Sequence, residues 1–201
     1  MEWLREKWLL VVAAGVLLVI LFATVYNPYS GPDFLEDPVQ SQLNQTESII
    51  HQGKDGSVTI EKLAAYEIRA AVKSRQDYAA DYPAQASPLD LALAWGELNE
   101  PEIDRHIQYS QSGRWYYFQY DAEAPVEEAY IYQHSANVHL IPENKKIERQ
   151  LKRIRKNDLV ELAGYLVRVQ FDNGPWTSSL SRQDTGDGSC EILYVKSVKI
   201  D

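Results

Sequence analysis

Residues 158–171 read DLVELAGYLVRVQF, and this stretch decides the fold class. Its branched and apolar residues predict one long β-strand, which the turn signal Asp172-Asn173-Gly174 ends. Gly164 lies in the middle of the strand, where the absence of a side chain permits the sharp bend that small barrels need. Two further strands are predicted directly afterwards, at 175–181 and 189–199.

The residues before this stretch add short strands and one or two short helices. Alternating patterns or β-rich runs predict strands at 58–60, 64–75, 129–133 and 136–141, and a hairpin over 106–120 with Ser112-Gly113 at its turn.

Two helices are predicted from their start signals and from periodicity. Ser87-Pro88 is typical of a helix start, with Ser as the N-cap and Pro at the first helical position. Pro142 begins a second predicted helix that extends to about Ile154, with Ile147 and Leu151 on the same apolar face. The sequence therefore predicts an α+β domain dominated by strands, barrel-like and, by fold-level analogy, similar to OB barrels.

The N-terminal part of the chain carries a predicted transmembrane helix. Residues 8–26 read WLLVVAAGVLLVILFATVY and contain no charged side chain. As a helix this segment is roughly 28 Å long, close to the ~30 Å hydrocarbon core of a bilayer. A cleaved signal peptide is the alternative, but its apolar region is normally shorter, and Ala23-Thr24-Val25 puts a branched residue at the cleavage position.

Basic residues near the helix ends predict its orientation. Arg5 and Lys7 precede the helix, and no Lys or Arg follows it until Lys54. Residues 1–7 are therefore expected in the cytoplasm, with a linker and poorly defined segment at 27–56 and an extracytoplasmic domain at 57–201. Because Cys190 is the only cysteine, this domain has no internal disulfide.

One short segment concentrates positive charge. Residues 145–156 carry a net charge of +6 against −9 for the whole chain, which leaves −15 for the remainder. An acidic remainder argues against nucleic-acid binding. The segment is either a solvated helix face or a site for anionic lipid, a wall polymer or an acidic protein. The candidate binding residues are Lys145, Lys146, Arg149, Lys152, Arg153, Arg155 and Lys156.

Two stretches carry a family resemblance. Residues 134–142 read HSANVHLIP, and residues 178–191 read SSLSRQDTGDGSCE. Together they resemble a group of uncharacterised bacterial membrane-anchored proteins in which SANxHLIP precedes SSLSRxDTGxGxCE. The resemblance covers the chain from about Ser87 onward. It implies a bacterial source and an inner-membrane location, and it implies no activity.

A cysteine and a histidine on an extracytoplasmic barrel also resemble the sortase-like transpeptidases. That chemistry needs a thiolate, an imidazole and a cation, roles that Cys190, His139 and Arg182 could fill. The sortase pattern has Thr directly before the cysteine and Arg shortly after it, whereas this chain has Ser189 and Glu191. The simpler interpretation is that Cys190 is a small apolar residue at the start of a buried strand.

No metal or cofactor site is predicted. His134 and His139 are five residues apart on predicted strands, so their side chains tend to face opposite sides. Arg182 and Asp184 are interpreted as a local ion pair. The aromatic run at 115–120 could offer a stacking platform, or its rings could pair with Tyr130 and Tyr132 on a neighbouring strand.

The function favoured by the sequence is a membrane-anchored binding or assembly module of a bacterial envelope, without enzymatic activity. Its partner contacts are expected on the basic segment and on the aromatic run. The alternative is a Cys-dependent extracytoplasmic acyl transferase or peptidase that uses Cys190 and His139.

Overall fold

A strand of 21 residues, β3 (Ser57–Asp77), is the longest element of the domain. The computed structural model describes residues 35–201, so the predictions for 1–7, for the membrane helix at 8–26 and for residues 27–34 lie outside the described residues. The predicted strands at 58–60 and 64–75 are both parts of β3. A register shift between Lys62 and Ala64 marks where the strand bends.

The remaining elements are short, apart from two long strands near the C-terminus. The strands are β1 (Val39–Gln42), β2 (Ser48–Gln52), β4 (Leu89–Ala94), β5 (Ile107–Ser112), β6 (Trp115–Tyr120), β7 (Ser135–Pro142), β8 (Leu159–Phe171), β9 (Gly174–Thr177) and β10 (Glu191–Ile200). The α-helices are α1 (Pro101–Asp104), α2 (Glu128–Gln133) and α3 (Lys145–Leu151), and short 3-10 helices lie at Tyr82–Gln85 and Glu97–Asn99.

Five of the strands pair in a closed ring. β3 pairs with β4, β4 with β7, β7 in parallel with β10, β10 with β8, and β8 with β3 again. β1 and β2 pair with β3, β9 pairs with β8, and β5 with β6 forms a separate two-stranded sheet. The prediction of a mainly β fold with few helices is confirmed.

Gly164 has the close approach that its position in β8 predicts. A Cβ atom built at this residue would lie 1.9 Å from the carbonyl oxygen of Tyr194 on β10. The register of β10 shifts next to this contact, between Val195 and Ser197. Only glycine allows the two backbones to come this close.

The main core lies inside the ring of strands. Alternate residues of the paired strands point inward, so β4 contributes Leu89, Leu91 and Leu93 to it. Ile147 and Leu151 of α3, with Ile154 after it, belong to the same core, as their helical spacing predicts. Asn144 caps α3 by accepting hydrogen bonds from the N–H groups of Lys146 and Ile147.

Two predicted elements are wrong in type. Ser87-Pro88 precedes strand β4 instead of starting a helix, because every residue of Leu89–Ala94 is buried and the period-two alternation is hidden. Residues 129–133 were expected as a strand but belong to helix α2. Among residues 35–201, no helix is both long enough and apolar enough to cross a bilayer.

Other predictions differ in their boundaries. The second helix begins at Lys145, since Pro142 is the last residue of β7. The strand predicted at 175–181 ends at Thr177, and residues 178–190 form a long connection to β10. The hairpin at 106–120 is present, with its turn at Gly113-Arg114, one residue later than predicted.

Candidate functional site

A cleft brings together the two stretches on which the family resemblance rests. It has a volume of about 230 Å³. It is lined by Ser135 and Asn137 at the start of β7, by Cys190 directly before β10, and by Glu191, the first residue of β10. Its further lining comes from the 178–190 connection (Ser181, Arg182, Asp184, Thr185, Gly186, Ser189), from Trp95 and Ala136, and from the aromatic side chains Trp115, Tyr116, Tyr117 and Tyr132.

A second cavity of about 560 Å³ continues along β6. It is lined by residues 116–120, by Tyr132 and by Glu128 of α2. Tyr116, Tyr117 and Tyr132 belong to both cavities, so the two are parts of one surface depression. We call this depression, with the lining residues given above, the aromatic groove.

The aromatic rings of the groove are accessible to a ligand. Trp115, Tyr117, Tyr120 and Tyr132 are each between 38% and 52% exposed. They are large aromatic side chains in one region of the surface of a chain whose net charge is −9. The sequence also allowed these rings to pair with Tyr130 and Tyr132 on a neighbouring strand. Tyr132 lies instead on helix α2, where its ring makes an edge-to-face contact with Phe118, at 4.8 Å between centroids.

The hairpin tip that carries Trp115 is held down by Arg114. Gly113 and Arg114 both have positive φ, 58° and 73°, as a two-residue hairpin turn requires. The guanidinium of Arg114 contacts Asp81 at 2.6 Å and Asp90 at 2.8 Å, and it lies 3.7 Å from the ring centroid of Tyr78. These contacts fix β5 and β6 against the outer face of β4.

Asp90 and His139 form a buried pair beneath the hairpin. The residues are cross-strand partners on β4 and β7, with side chains 0% and 3% exposed. His139 Nδ1 lies 2.9 Å from Asp90 Oδ2, at ion-pair distance but outside hydrogen-bond geometry. The ring of Trp176 covers His139 at 4.6 Å between centroids. His139 is therefore oriented by Asp90 and Trp176.

Asn137 links the hairpin to the floor of the groove. Its amide nitrogen donates to the carbonyl oxygen of Arg114 at 2.9 Å, and its amide oxygen accepts from the side chain of Gln111 at 2.7 Å. The same amide nitrogen lies 3.8 Å from the sulfur of Cys190. Among residues 35–201, the hydrogen-bonding partner of the thiol is thus an amide, with no imidazole hydrogen-bonded to it.

The environment of Cys190 disfavours a thiolate. Burial raises the pKa of the thiol to about 11, although the hydrogen bond from Asn137 acts in the opposite direction. The nearby carboxylates of Glu191, Asp90 and Asp184 raise this pKa further. The geometry places Cys190 and Arg182 in one cleft and directs His139 toward Asp90.

Glu191 is a buried acid at the bottom of the groove. Glu191 is 4% exposed, and its Oε2 atom has no hydrogen-bond partner among the described residues. Burial raises the pKa of this carboxyl to about 8, and the carboxylate of Asp184 adds to the rise. The neutral acid, which dominates below that pH, can donate a hydrogen bond to a ligand.

Serines of the stretch 178–191 make hydrogen bonds within the connection that borders the groove. Ser179 Oγ donates to Asp184 at 2.7 Å and accepts from the N–H of Ser181 at 2.9 Å. The predicted ion pair between Arg182 and Asp184 is wrong, because the two side chains form no salt bridge, and Asp184 accepts a hydrogen bond from Ser179 instead. No carboxylate of residues 35–201 lies within salt-bridge distance of Arg182, whose Nη1 reaches the carbonyl oxygen of Pro38 at 3.5 Å.

The predicted basic surface is exposed and lies apart from the groove. All seven basic residues of 145–156 are exposed. Lys145 and Lys152 pair with Glu148, at 2.8 Å and 2.6 Å. The other five have no salt bridge to a residue of the described range: Lys146, Arg149, Arg153, Arg155 and Lys156.

Metal-ligand geometry is not found in the part of the chain that the structure describes. No group of three or more His, Cys, Asp or Glu side chains within residues 35–201 is arranged to hold a metal ion. His134 stacks on Tyr130 at 3.7 Å between ring centroids, and His139 lies with Asp90.

Sequence reasoning missed Asp90, Arg114 and Glu191 as parts of the site. The signal for Asp90 was present, because it is the one charged residue in the apolar run LDLALAW. A charge at such a position is usually paired. Arg114 directly follows a turn glycine, but its partners lie 24 and 33 residues away in sequence.

Comparisons with known proteins give no assignment. No family model matches the chain, and no curated protein or solved structure matches it either.

Proposed function

We propose that the chain is a non-enzymatic binding module of a bacterial envelope, and that it holds its partner in the aromatic groove. The observation that carries this proposal is the set of exposed rings, Trp115, Tyr117, Tyr120 and Tyr132, along one depression that both motif stretches border. Apolar surface left exposed in one place is typical of a site that a partner covers. Aromatic residues are enriched at such contacts.

The proposed location is the bacterial inner membrane, with one anchor and an extracytoplasmic domain. Its support comes from the sequence: the uncharged apolar segment at 8–26, the basic residues Arg5 and Lys7 before it, and the family resemblance.

An OB-like fold is part of the same proposal. Numbered in chain order, the five ring strands are β3 (first), β4 (second), β7 (third), β8 (fourth) and β10 (fifth). Around the ring, neighbouring strands follow in the order first, second, third, fifth, fourth, and the fourth pairs with the first again. Helix α3 connects the third and fourth of them. OB barrels bind ligands at the face of the second and third strands and at the neighbouring loops. The groove borders the third ring strand, β7.

A binding role is favoured over the Cys-dependent alternative by two features. Burial raises the pKa of Cys190 to about 11, whereas nucleophilic cysteines have a lowered pKa. In addition, His139 faces Asp90 at 2.9 Å, and the thiol is hydrogen-bonded by the amide of Asn137. A general base within hydrogen-bond reach of the thiol is what the transferase would need.

Photo-crosslinking of the full-length chain in its host membrane tests the groove. A benzoylphenylalanine residue replaces Tyr117 in the groove, or replaces Tyr82 as a matched control, since both tyrosines are exposed, at 52% and 43%. We expect a discrete adduct from position 117 and none from position 82. The proposal fails if position 117 gives no adduct, or if both positions give the same adducts.

The basic surface of α3 is a second proposed contact, with anionic lipid headgroups. Its specific support is that five of its seven cations have no salt bridge within the described range. Each basic side chain near an anionic surface contributes about 1 kcal/mol, equivalent to about a fivefold change in binding. Arg153→Glu combined with Arg155→Glu is therefore expected to weaken binding of residues 33–201 to anionic vesicles by more than tenfold.

A charge-matched control separates this surface from net charge. Lys54→Glu combined with Arg105→Glu changes the charge equally at exposed positions elsewhere. Equal weakening by both double variants in vesicle flotation would refute a specific role for α3.

A further inference from the structure

Strand β6 has a free edge along the aromatic groove. β5 and β6 form a two-stranded sheet, so each strand has one paired side. The turn at Gly113-Arg114 makes Ser112 and Trp115 a hydrogen-bonded pair, and hydrogen-bonded pairs alternate along an antiparallel ladder. The backbone groups of Tyr116, Phe118 and Tyr120 therefore point away from β5.

These edge groups have no partner within the described chain. No residue of 35–201 hydrogen-bonds to the backbone N–H or C=O of Tyr116, Phe118 or Tyr120. Three donors and three acceptors are thus presented in one row. Tyr116 borders both cavities of the groove, and Phe118 and Tyr120 border the larger one, so the row runs along the groove.

The sequence of β6 also lacks the features that usually protect an edge strand against pairing with another strand. Natural edge strands carry a charged residue, a proline or a bulge, or are very short. The six residues of β6 read WYYFQY and contain no charge and no proline, and β6 pairs with β5 without a register shift. An unpaired strand edge of this kind is a template for pairing with another chain.

The two ends of the groove differ in charge. Arg182 borders the cavity near Trp115, as do the carboxyl groups of Asp184 and Glu191, and no carboxylate of residues 35–201 is within salt-bridge range of Arg182. Glu128 borders the other cavity, where it accepts a hydrogen bond from Tyr120. A ligand that lies along β6 therefore meets the cation Arg182 beside the carboxyl groups of Asp184 and Glu191 at one end, and the acid Glu128 at the other.

We propose that the aromatic groove takes an extended polypeptide segment, which adds to the free edge of β6 as a third strand. This inference rests on the proposed function and names the chemistry of the partner. The segment spans about six residues, or about 20 Å. Its backbone pairs with Tyr116, Phe118 and Tyr120, its apolar side chains meet the exposed rings, and a carboxylate near one end pairs with Arg182.

The test uses peptides from a random heptapeptide library, selected on the full-length chain in detergent. The tightest peptide is resynthesised with a single N-methyl group at each amide in turn. In strand addition only alternate amides of the added strand face its partner. We expect N-methylation to weaken binding about tenfold at every second position, and less than about twofold at the positions between.

Three results would overturn strand addition. They are a library that yields no binding peptide, a peptide whose N-methyl sensitivity does not alternate, and a dimer of the chain paired through Trp115–Tyr120 that no peptide displaces. The binding-module proposal fails separately. If position 117 crosslinks to a glycan in the membrane and no peptide binds, the module stands and the peptide inference falls.

Discussion

Arg114 shows how one side chain positions the candidate site. Its guanidinium joins the hairpin tip to Asp90, which is fully buried. Removing one partner of a buried ion pair leaves the other charge uncompensated, and this destabilises a protein by about 3–5 kcal/mol. We expect Arg114→Ala to lower the free energy of unfolding by that amount in urea titrations followed by tryptophan fluorescence.

An exposed ion pair provides the control for Arg114. Arg105 pairs with Glu102 at 2.8 Å, but the two side chains are 62% and 73% exposed. Solvent screens such a pair, so Arg105→Ala should change stability by less than about 1 kcal/mol. Similar losses in the two variants would contradict the role given to Arg114.

Glu191 makes stability depend on pH in a defined direction. The folded chain binds the proton of this carboxyl more tightly than the unfolded chain does, because burial raises its pKa from 4.5 to about 8. The stabilising contribution is therefore complete below about pH 4.5 and is lost as the pH rises through about 8. Its slope between these values is at most about 1.4 kcal/mol per pH unit.

Glu191→Gln isolates this contribution, since glutamine has the shape of the neutral acid and does not ionise. The difference in unfolding free energy between variant and parent should grow in favour of the variant as the pH rises from about 4.5 to about 8. The exposed Glu123→Gln should follow the parent at every pH. If the difference in unfolding free energy between Glu191→Gln and the parent were the same at every pH, Glu191 would be ionised over the whole range from about 4.5 to about 8.

At the scale of elements, the bend of β8 depends on one glycine. A methyl group at Gly164 would meet the backbone oxygen of Tyr194 at 1.9 Å, and a strand of the ring would have to move to relieve the contact. Overpacking of this kind destabilises by about 1–3 kcal/mol, and the contact here is with rigid backbone. We expect Gly164→Ala to cost about 3 kcal/mol in thermal or urea unfolding.

A substitution at the neighbouring residue, Ala163, is the control for Gly164→Ala. Ala163→Gly alters the same strand without a new contact and should cost only about 0.5–1 kcal/mol. If Gly164→Ala were neutral, β8 and β10 would have to be further apart than the structure places them.

Elements were predictable where one face of a segment is exposed. The alternation in 64–75 and the helical spacing of Ile147, Leu151 and Ile154 both reflect a buried face beside a solvated one. β4 has no solvated face, because the barrel core lies on one side and the hairpin on the other. Its leucines alternate with Asp90 and two alanines, so the contrast between polar and apolar positions is weak, and the local signal of Ser87-Pro88 pointed to the wrong element.

The groove could be predicted only in its parts. The aromatic run at 115–120 and the stretch 178–191 are visible in the sequence as unusual. Their meeting depends on the docking of the hairpin through Arg114 and Asn137, whose partners are distant in sequence. Periodicity carries no information about such contacts, so the site as a unit had to come from the structure.

At the scale of the whole molecule, two surfaces of different chemistry lie on one small barrel. The aromatic groove is bordered by β6, α2 and the 178–190 connection, and the basic surface lies on α3 and the residues after it. In the proposed function, the first holds a polypeptide and the second holds anionic headgroups. Neither role needs a reactive cysteine.

The reactivity of Cys190 tests most directly whether the groove binds or catalyses. It is the only cysteine in the chain, so iodoacetamide labelling of the full-length protein reports on this one thiol. Burial with a pKa of about 11 predicts slow labelling at neutral pH and fast labelling once urea unfolds the domain. Rapid labelling of the folded protein, with a midpoint below the free-thiol value of about 8.5, would contradict the binding account and favour a Cys-dependent enzyme.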